Sequence, residues 1–282
     1  MFKAKFKIIH HVDQETIDDM YNEYSPVFIL STGRSGSKFT AALLNGSPNI
    51  TAYHEPRPTL QYFSNDAFHH QNEEHVLTNM IDAARMELML DVFIKNSIYV
   101  ESNQCLTFFA PVIAKRFKKS KFVHIVRHPG DFVRSAVRKG WHKNDSIWES
   151  GRVKMADTNQ WDRMDQVERL SWVWVETNRF IENFKKQVHS QRVLTLKIED
   201  LIKKKKTVKK LLEFIGARDI DAEKIEEMQG KKMNELHIHP DEPPNMKKVT
   251  DFPAYNEWND DMKNKLRKYA ERLVKRYGYH LS

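Results

Sequence analysis

The sequence predicts an α/β fold, a central and mostly parallel sheet with helices on both faces. Three observations predict it. Short apolar, β-branched runs recur along the chain, amphipathic helical segments separate them, and only 10 Pro and 9 Gly interrupt the 282 residues. Strands that alternate with helices pair in parallel, because each connection must cross back over the sheet. Ligands of such sheets bind at the carboxyl ends of the strands.

The first strand is Val27–Ser31, an apolar run between Pro26 and Gly33. Such a run suits a strand buried on both faces. A helix follows, with Phe39, Leu43 and Leu44 on one side and a stop at Asn45-Gly46. Ile50–His54 reads as the second strand, Asn72–Leu90 as a long amphipathic helix, Ser97–Val100 as a strand and Leu106–Phe117 as a helix. Lys121–Val126 is β-branched and apolar, and Pro129 opens the helix Gly130–Arg138, where its missing N–H costs nothing. Asp165–Val188 is helical, with Val173, Thr177, Phe180 and Phe184 on one face. Arg192–Ile198 is a further strand, and helices are expected at Val208–Ile215, Ala222–Gln229 and Trp258–Tyr277.

We expect one domain over residues 1–282: a core at 25–140, an insertion at 141–165 and a helical completion at 166–282. Composition is globular, with 40% hydrophobic and 30% charged residues. A chain of this length buries a core without disulfide or metal staples. Its single cysteine, Cys105, suits a reducing compartment and reads as a small buried residue. The apolar N-terminal stretch is short for a signal sequence, and no apolar run reaches the roughly 20 residues that span a bilayer. These features lead us to expect a cytoplasmic protein without stable membrane insertion. The net charge of +8 admits nucleic acid, anionic membrane or a polyanionic small ligand. Lys203–Lys206 reads as a solvated helix end, and no aromatic interleaving or zinc-finger spacing points to nucleic acid.

Two strand-end loops carry the chemistry. The first, Ser31–Thr40, reads STGRSGSKFT. Gly33 and Gly36 let the backbone come close to a ligand. Unpaired N–H groups at the helix start suit a phosphate or sulfate, and Arg34 and Lys38 add charge. A Walker A loop needs four residues between its glycines and a hydroxyl residue after the lysine. Here two residues separate the glycines and Phe39 follows Lys38, so an ATP or GTP loop does not fit.

At these residues the chain resembles the sulfotransferases that use 3′-phosphoadenosine 5′-phosphosulfate, whose fold is a P-loop-like α/β architecture. The resemblance implies that Arg34 contacts the bridging and 5′-phosphate oxygens. It implies that Ser35, Gly36, Ser37 and Lys38 cradle the 5′-phosphate and that Phe39 lies near the adenine. Arginine at position 34 is similar to the carbohydrate and protein-tyrosine branches, while Lys38 stands where a hydroxyl residue is usual.

The second loop follows Lys121–Val126 and reads Arg127-His128-Pro129, with Ser135 on the next helix. Arginine offers a permanent charge and a planar donor fork that suits phosphate. By itself the pair also fits a strand-end ion pair beside a solvated serine. The family carries an arginine at a strand end and a serine eight residues on, and these bind the donor's 3′-phosphate. The resemblance therefore assigns Arg127 and Ser135 to that phosphate. It also implies that Lys247 and Lys248 close over it.

The second strand ends in Tyr53-His54-Glu55-Pro56-Arg57. Transfer to a hydroxyl needs in-line attack, a base and positive charge on the leaving phosphate. Glu55 or His54 can be the base. His54 has the better unperturbed pKa, and the resemblance favours Glu55. No metal is expected, because His69-His70 and His237-x-His239 lack partner ligands. Ser102 stands where the family has a lysine near the sulfuryl group. The resemblance spans most of residues 25–280. It implies sulfuryl transfer to a small-molecule, glycan or lipid acceptor, which the stretches 61–74 and 141–165 would enclose. A Mg-ATP kinase and a non-enzymatic polyanion binder are the other readings. The first lacks its loop, and the second leaves both strand-end motifs unexplained.

Overall fold

The computed structural model describes residues 12–143, 147–218, 220, 222–230 and 251–281. In chain order its elements are α1 (Gln14–Asn22), β1 (Val27–Leu30), α2 (Ser37–Leu44), β2 (Ile50–His54), α3 (Ser64–His69), α4 (Glu74–Ile94) and β3 (Ile98–Ser102). Then follow α5 (Ala110–Arg116), β4 (Lys121–Val126), α6 (Pro129–Arg138), α7 (Ile147–Ser150), α8 (Thr158–Arg163), α9 (Gln166–Lys185) and β5 (Val193–Lys197). The chain continues through α10 (Ile198–Lys203), α11 (Lys205–Ile215), α12 (Ala222–Gly230) and α13 (Asp260–Arg276).

The five strands form one sheet in the order β2-β3-β1-β4-β5, and every pairing is parallel. The predicted α/β class and the parallel sheet hold. Alternation along each strand divides the core in two, because successive side chains point to opposite faces. Phe28, Leu30, Tyr99 and Phe122 pack on one face with residues of α4 and α5. Val27, Ile29, Val100, Val123, Leu194 and Leu196 pack on the other, with α2 and α11. A third cluster joins α6, α9 and α13 around Trp174, Phe132 and Leu266.

The differences from the sequence reading have physical causes. β3 runs on to Ser102 and so takes in Glu101, which is fully buried. That charge is tolerated because Arg85 of α4 grips it with two hydrogen bonds, Nε to Oε2 at 2.6 Å and Nη2 to Oε1 at 2.8 Å. The expected helix Leu106–Phe117 is two elements, a 3₁₀ segment Gln104–Phe109 and then α5, in whose first turn Pro111 sits. α4 runs beyond Leu90 to Ile94. α10 begins at Ile198, which the sequence reading placed at the end of a strand. The stretch 141–165 carries α7 and α8. α1 was not anticipated; Asp13 caps it by accepting from Thr16 N. No helix among the described residues is long and apolar enough to cross a membrane.

Candidate active site at the strand ends

β1 lies at the centre of the sheet, with β3 on one side and β4 on the other. The connections after β1 and β4 run toward opposite edges, which opens a crevice above the carboxyl ends of this pair. Both loops singled out in the sequence lie on that crevice.

The first loop turns through left-handed conformations at Gly33 (φ 72°), Arg34 (φ 49°) and Gly36 (φ 78°). A side chain at Gly33 would collide with Gln104 Oε1 and stand 2.8 Å from the Trp141 ring. One at Gly36 would stand 2.6 Å from Ile198 Cγ1. The loop is braced from within. Ser35 is buried, and its Oγ donates to Gly33 O at 2.9 Å and lies 2.9 Å from Thr32 Oγ1. Thr107 Oγ1 donates to Ser31 O at 3.1 Å and accepts from Ser31 N at 3.2 Å. α2 starts at once, and its backbone ladder opens with Thr40 N donating to Gly36 O at 2.9 Å. The N–H groups of the first turn precede that ladder and point outward.

The two loops touch directly. Arg127 Nη1 donates to Arg34 O at 2.6 Å, and Arg34 Nε donates to Ser135 Oγ at 3.0 Å. Arg34, Arg127 and Ser135 thus form one linked group. Burial pulls the Arg127 guanidinium below its ordinary value, while Asp131 and Glu199 act the other way. Arginine stays charged through such a shift. The backbone around it is fixed by Trp174, whose Nε1 donates to Arg127 O at 3.1 Å, and by Glu199, whose Oε1 accepts from His128 N at 2.9 Å. Tyr279 donates its hydroxyl to Glu199 Oε2 at 2.6 Å. Burial and Glu199 push that phenol up, so it stays a donor.

Glu55 stands at the end of β2, two strands from β1. It is half-buried with a left-handed backbone (φ 48°), and its N–H donates to Ser102 O at 3.1 Å. His54 is exposed, and its Nδ1 lies 3.1 Å from the same carbonyl. Ser102 is fully buried, and its hydroxyl has no partner among the described residues.

The remaining predicted site residues divide. Ser37 is half-buried and Lys38 exposed, both on the first turn of α2. Phe39 does not reach the crevice. It is 5% exposed and packed in the core with Ile29 and Leu43, the side of α2 that meets the sheet. Lys247 and Lys248 lie outside the described residues. Cys105 is buried, and its thiol is pushed up to about 12 by burial first and by Glu55 second, so it is held as an unreactive thiol. Gln104 and Trp141 border Gly33 and Glu199 braces the second loop; Trp141 belongs to the stretch expected over the strand ends, while Gln104 and Glu199 were not foreseen, since only the fold brings them there.

A family model described as the sulfotransferase family matches residues 26–221, which include both loops. The chain belongs to the sulfotransferase family. Solved structures agree on the fold of this sulfotransferase. It is similar to a sulfotransferase domain from the curacin biosynthetic pathway, with 19% identity, 92% of this chain and 99% of that one covered, and a TM-score of 0.51. It is similar to the sulfotransferase domain of the Synechococcus PCC 7002 olefin synthase, with 19% identity, coverage of 92% and 97%, and a TM-score of 0.51. It is also similar to mouse sulfotransferase SULT7A1, determined in complex with PAP, with 14% identity, coverage of 94% and 90%, and a TM-score of 0.51. A search of curated protein sequences returned no significant match.

Proposed function

We propose that this sulfotransferase moves a sulfuryl group from 3′-phosphoadenosine 5′-phosphosulfate to a hydroxyl or amine, with Glu55 as base. The observation that carries the reading is the linked group of Arg34, Arg127 and Ser135. A donor with phosphates at both the 3′ and 5′ positions needs two anion sites a fixed distance apart. Hydrogen bonds that tie the two strand-end loops together hold such sites in register.

The 5′-phosphate end would lie on the outward N–H groups of Ser37 and Lys38, with Arg34 at the bridging oxygen. The 3′-phosphate would take donors from Arg127 and Ser135. An acceptor oxygen then attacks sulfur in line. The bond from sulfur to the bridging oxygen breaks, and its electron pair leaves on the phosphate. Glu55 takes the acceptor's proton. Arg34 lowers the barrier by meeting the charge that grows on the leaving oxygen. Glu55 suits the base role better than His54, whose ring is held at the solvent edge by Ser102 O.

The reading is tested with donor radiolabelled on sulfur and a mixture of hydroxyl and amine acceptors. We expect label in an acceptor fraction and 3′,5′-phosphoadenosine released in equal amount. Label recovered only as free sulfate, at the rate seen without protein, would contradict it.

A further inference from the structure

A carboxylate stands beside the arginine assigned to the 3′-phosphate and does not pair with it. Beyond burial, Asp131, Glu199 and Tyr279 act electrostatically on the Arg127 guanidinium, in that order. Among the described residues Arg127 nonetheless has no ion pair, and its guanidinium makes one hydrogen bond, from Nη1 to Arg34 O at 2.6 Å. A guanidinium carries five N–H donors, so most of the fork stays open. Both Glu199 oxygens are taken elsewhere. Oε1 accepts from His128 N at 2.9 Å, and Oε2 accepts from Tyr279 OH at 2.6 Å. The first donor is backbone next to Arg127, and the second comes from outside both loops.

The chain after α13 is built to deliver that second donor. Gly278 turns through φ 63°. Its N–H donates to Lys275 O at 3.0 Å and Tyr279 N donates to Val274 O at 3.0 Å, the paired bonds of a Schellman turn. Lys197 Nζ donates to Gly278 O at 2.8 Å and stands 4.3 Å from the centre of the Tyr279 ring. On the other side, His128 Nε2 donates to His280 O at 3.1 Å. A carbonyl only accepts, so the ring's other nitrogen, Nδ1, is left to accept from Gly130 N at 3.2 Å. Tyr279 is thus fixed by a hydrogen bond on each side of it, with its ring edge-on to His128 at 5.4 Å.

We propose that Tyr279 is a positioning residue for the 3′-phosphate site: its hydroxyl holds Glu199 off Arg127 and so keeps the guanidinium open to a second phosphate. The proposal rests on the donor reading above and names what sets its selectivity. An ionised carboxylate oxygen that loses its donor turns to a cation within reach, and Arg127 is the cation beside this one. A Glu199–Arg127 pair is the strand-end ion pair that the sequence alone also allowed. It would fill the fork that the 3′-phosphate needs and leave the 5′-phosphate loop untouched. Removing the Tyr279 hydroxyl should therefore act on the 3′-phosphate through Glu199, and removing the Glu199 charge should undo the effect.

The probes are 3′,5′-phosphoadenosine and adenosine 5′-phosphate, titrated calorimetrically into the full chain. We expect Tyr279→Phe to weaken the bisphosphate by about tenfold and the monophosphate by less than about twofold. Adding Glu199→Gln, whose amide is uncharged, should bring the bisphosphate back to within about threefold of wild type. Adding Asp131→Asn in its place should not. In nucleotide-free protein labelled with ¹⁵N in arginine, the Arg127 Nε signal should move in Tyr279→Phe and return in Tyr279→Phe/Glu199→Gln. Equal weakening of the two nucleotides in Tyr279→Phe would overturn the proposal, as would further loss on adding Glu199→Gln, rescue by Asp131→Asn, or an unmoved Arg127 signal. A Tyr279→Phe chain that loses stability and keeps the nucleotide ratio would make the hydroxyl structural only. If wild type fails to bind 3′,5′-phosphoadenosine while the Arg127 signal moves and returns, the donor reading falls and the hold of Tyr279 on Glu199 stands.

Discussion

Arg34 Nε donates to Ser135 Oγ at 3.0 Å, across 101 positions of sequence. That bond joins a residue of the loop after β1 to one on α6. It places the group assigned to the leaving phosphate beside the group assigned to the 3′-phosphate.

Removing either side of the 3′ site should therefore change selectivity and not only affinity. Arg127→Ala should weaken 3′,5′-phosphoadenosine by about 30–150-fold, the range of a charge-assisted hydrogen bond worth about 2–3 kcal/mol. Adenosine 5′-phosphate should weaken only a few-fold. Ser135→Ala should act in the same direction and less strongly. Calorimetric titration of both nucleotides reads the ratio, and equal weakening would make Arg127 a structural residue.

Glu55→Gln should bind 3′,5′-phosphoadenosine with wild-type affinity and transfer sulfuryl more slowly by about 10²–10⁴-fold, the usual contribution of a general base. A turnover assay under saturating donor measures this. Unchanged turnover would move the base elsewhere.

Gly36→Ala should destabilise the fold by about 1–3 kcal/mol, because the new methyl meets Ile198 and φ is 78°. Urea denaturation gives the loss. Wild-type stability would mean that the loop relaxes without cost.

Arg85 and Glu101 are each fully buried, and Tyr99 OH donates to Glu101 Oε2 at 2.7 Å. Arg85 Nη1 also donates to Pro58 O at 2.7 Å, which fixes the segment that follows Glu55. Glu101→Leu should cost about 3–5 kcal/mol, since it strands a buried guanidinium, and Arg85→Met in the same chain should recover much of it. Denaturant melts of the two variants check the sign of the coupling.

Much of the fold was legible in the sequence, and part of the site. Val27–Leu30 and Lys121–Val126 declare themselves because strands buried on both faces must be apolar throughout. Arg34 and Arg127 were legible as motif residues from their places beyond strand ends, and Ser135 from its spacing of eight residues from Arg127 on the next helix. The strand character of Glu101 was hidden, since a carboxylate survives there only with Arg85, sixteen positions away on another element. Phe39 misled for the opposite reason. Its place in the motif suggested the nucleotide, but helical geometry turns it onto the sheet with Leu43. Tyr279 carries no local signal at all, because its carboxylate partner lies 80 positions away and meets it only once the fold is complete.

His124 is fully buried and sits between Asn178 Oδ1, 2.9 Å from Nε2, and Lys185, which donates to Nδ1 at 2.8 Å. Burial first, then Lys185, hold the imidazole well below its ordinary value. The unfolded chain takes up this proton near pH 6.5 and the folded chain does not. Stability should therefore be fully present above about pH 6.5 and fall as the pH drops below it, by up to about 1.4 kcal/mol per pH unit for this group. His124→Gln should flatten the slope. Urea melts across pH 5–8 test it, and an unchanged slope would show that His124 is not responsible.

The central claim is a donor site built for two phosphates on one nucleoside. Its most direct test is a calorimetric titration of the wild-type chain with 3′,5′-phosphoadenosine in the absence of metal and with Mg-ATP. The site described here predicts tight binding of 3′,5′-phosphoadenosine and binding of Mg-ATP weaker by at least tenfold. Equal affinity for the two nucleotides, or preference for Mg-ATP, would contradict it.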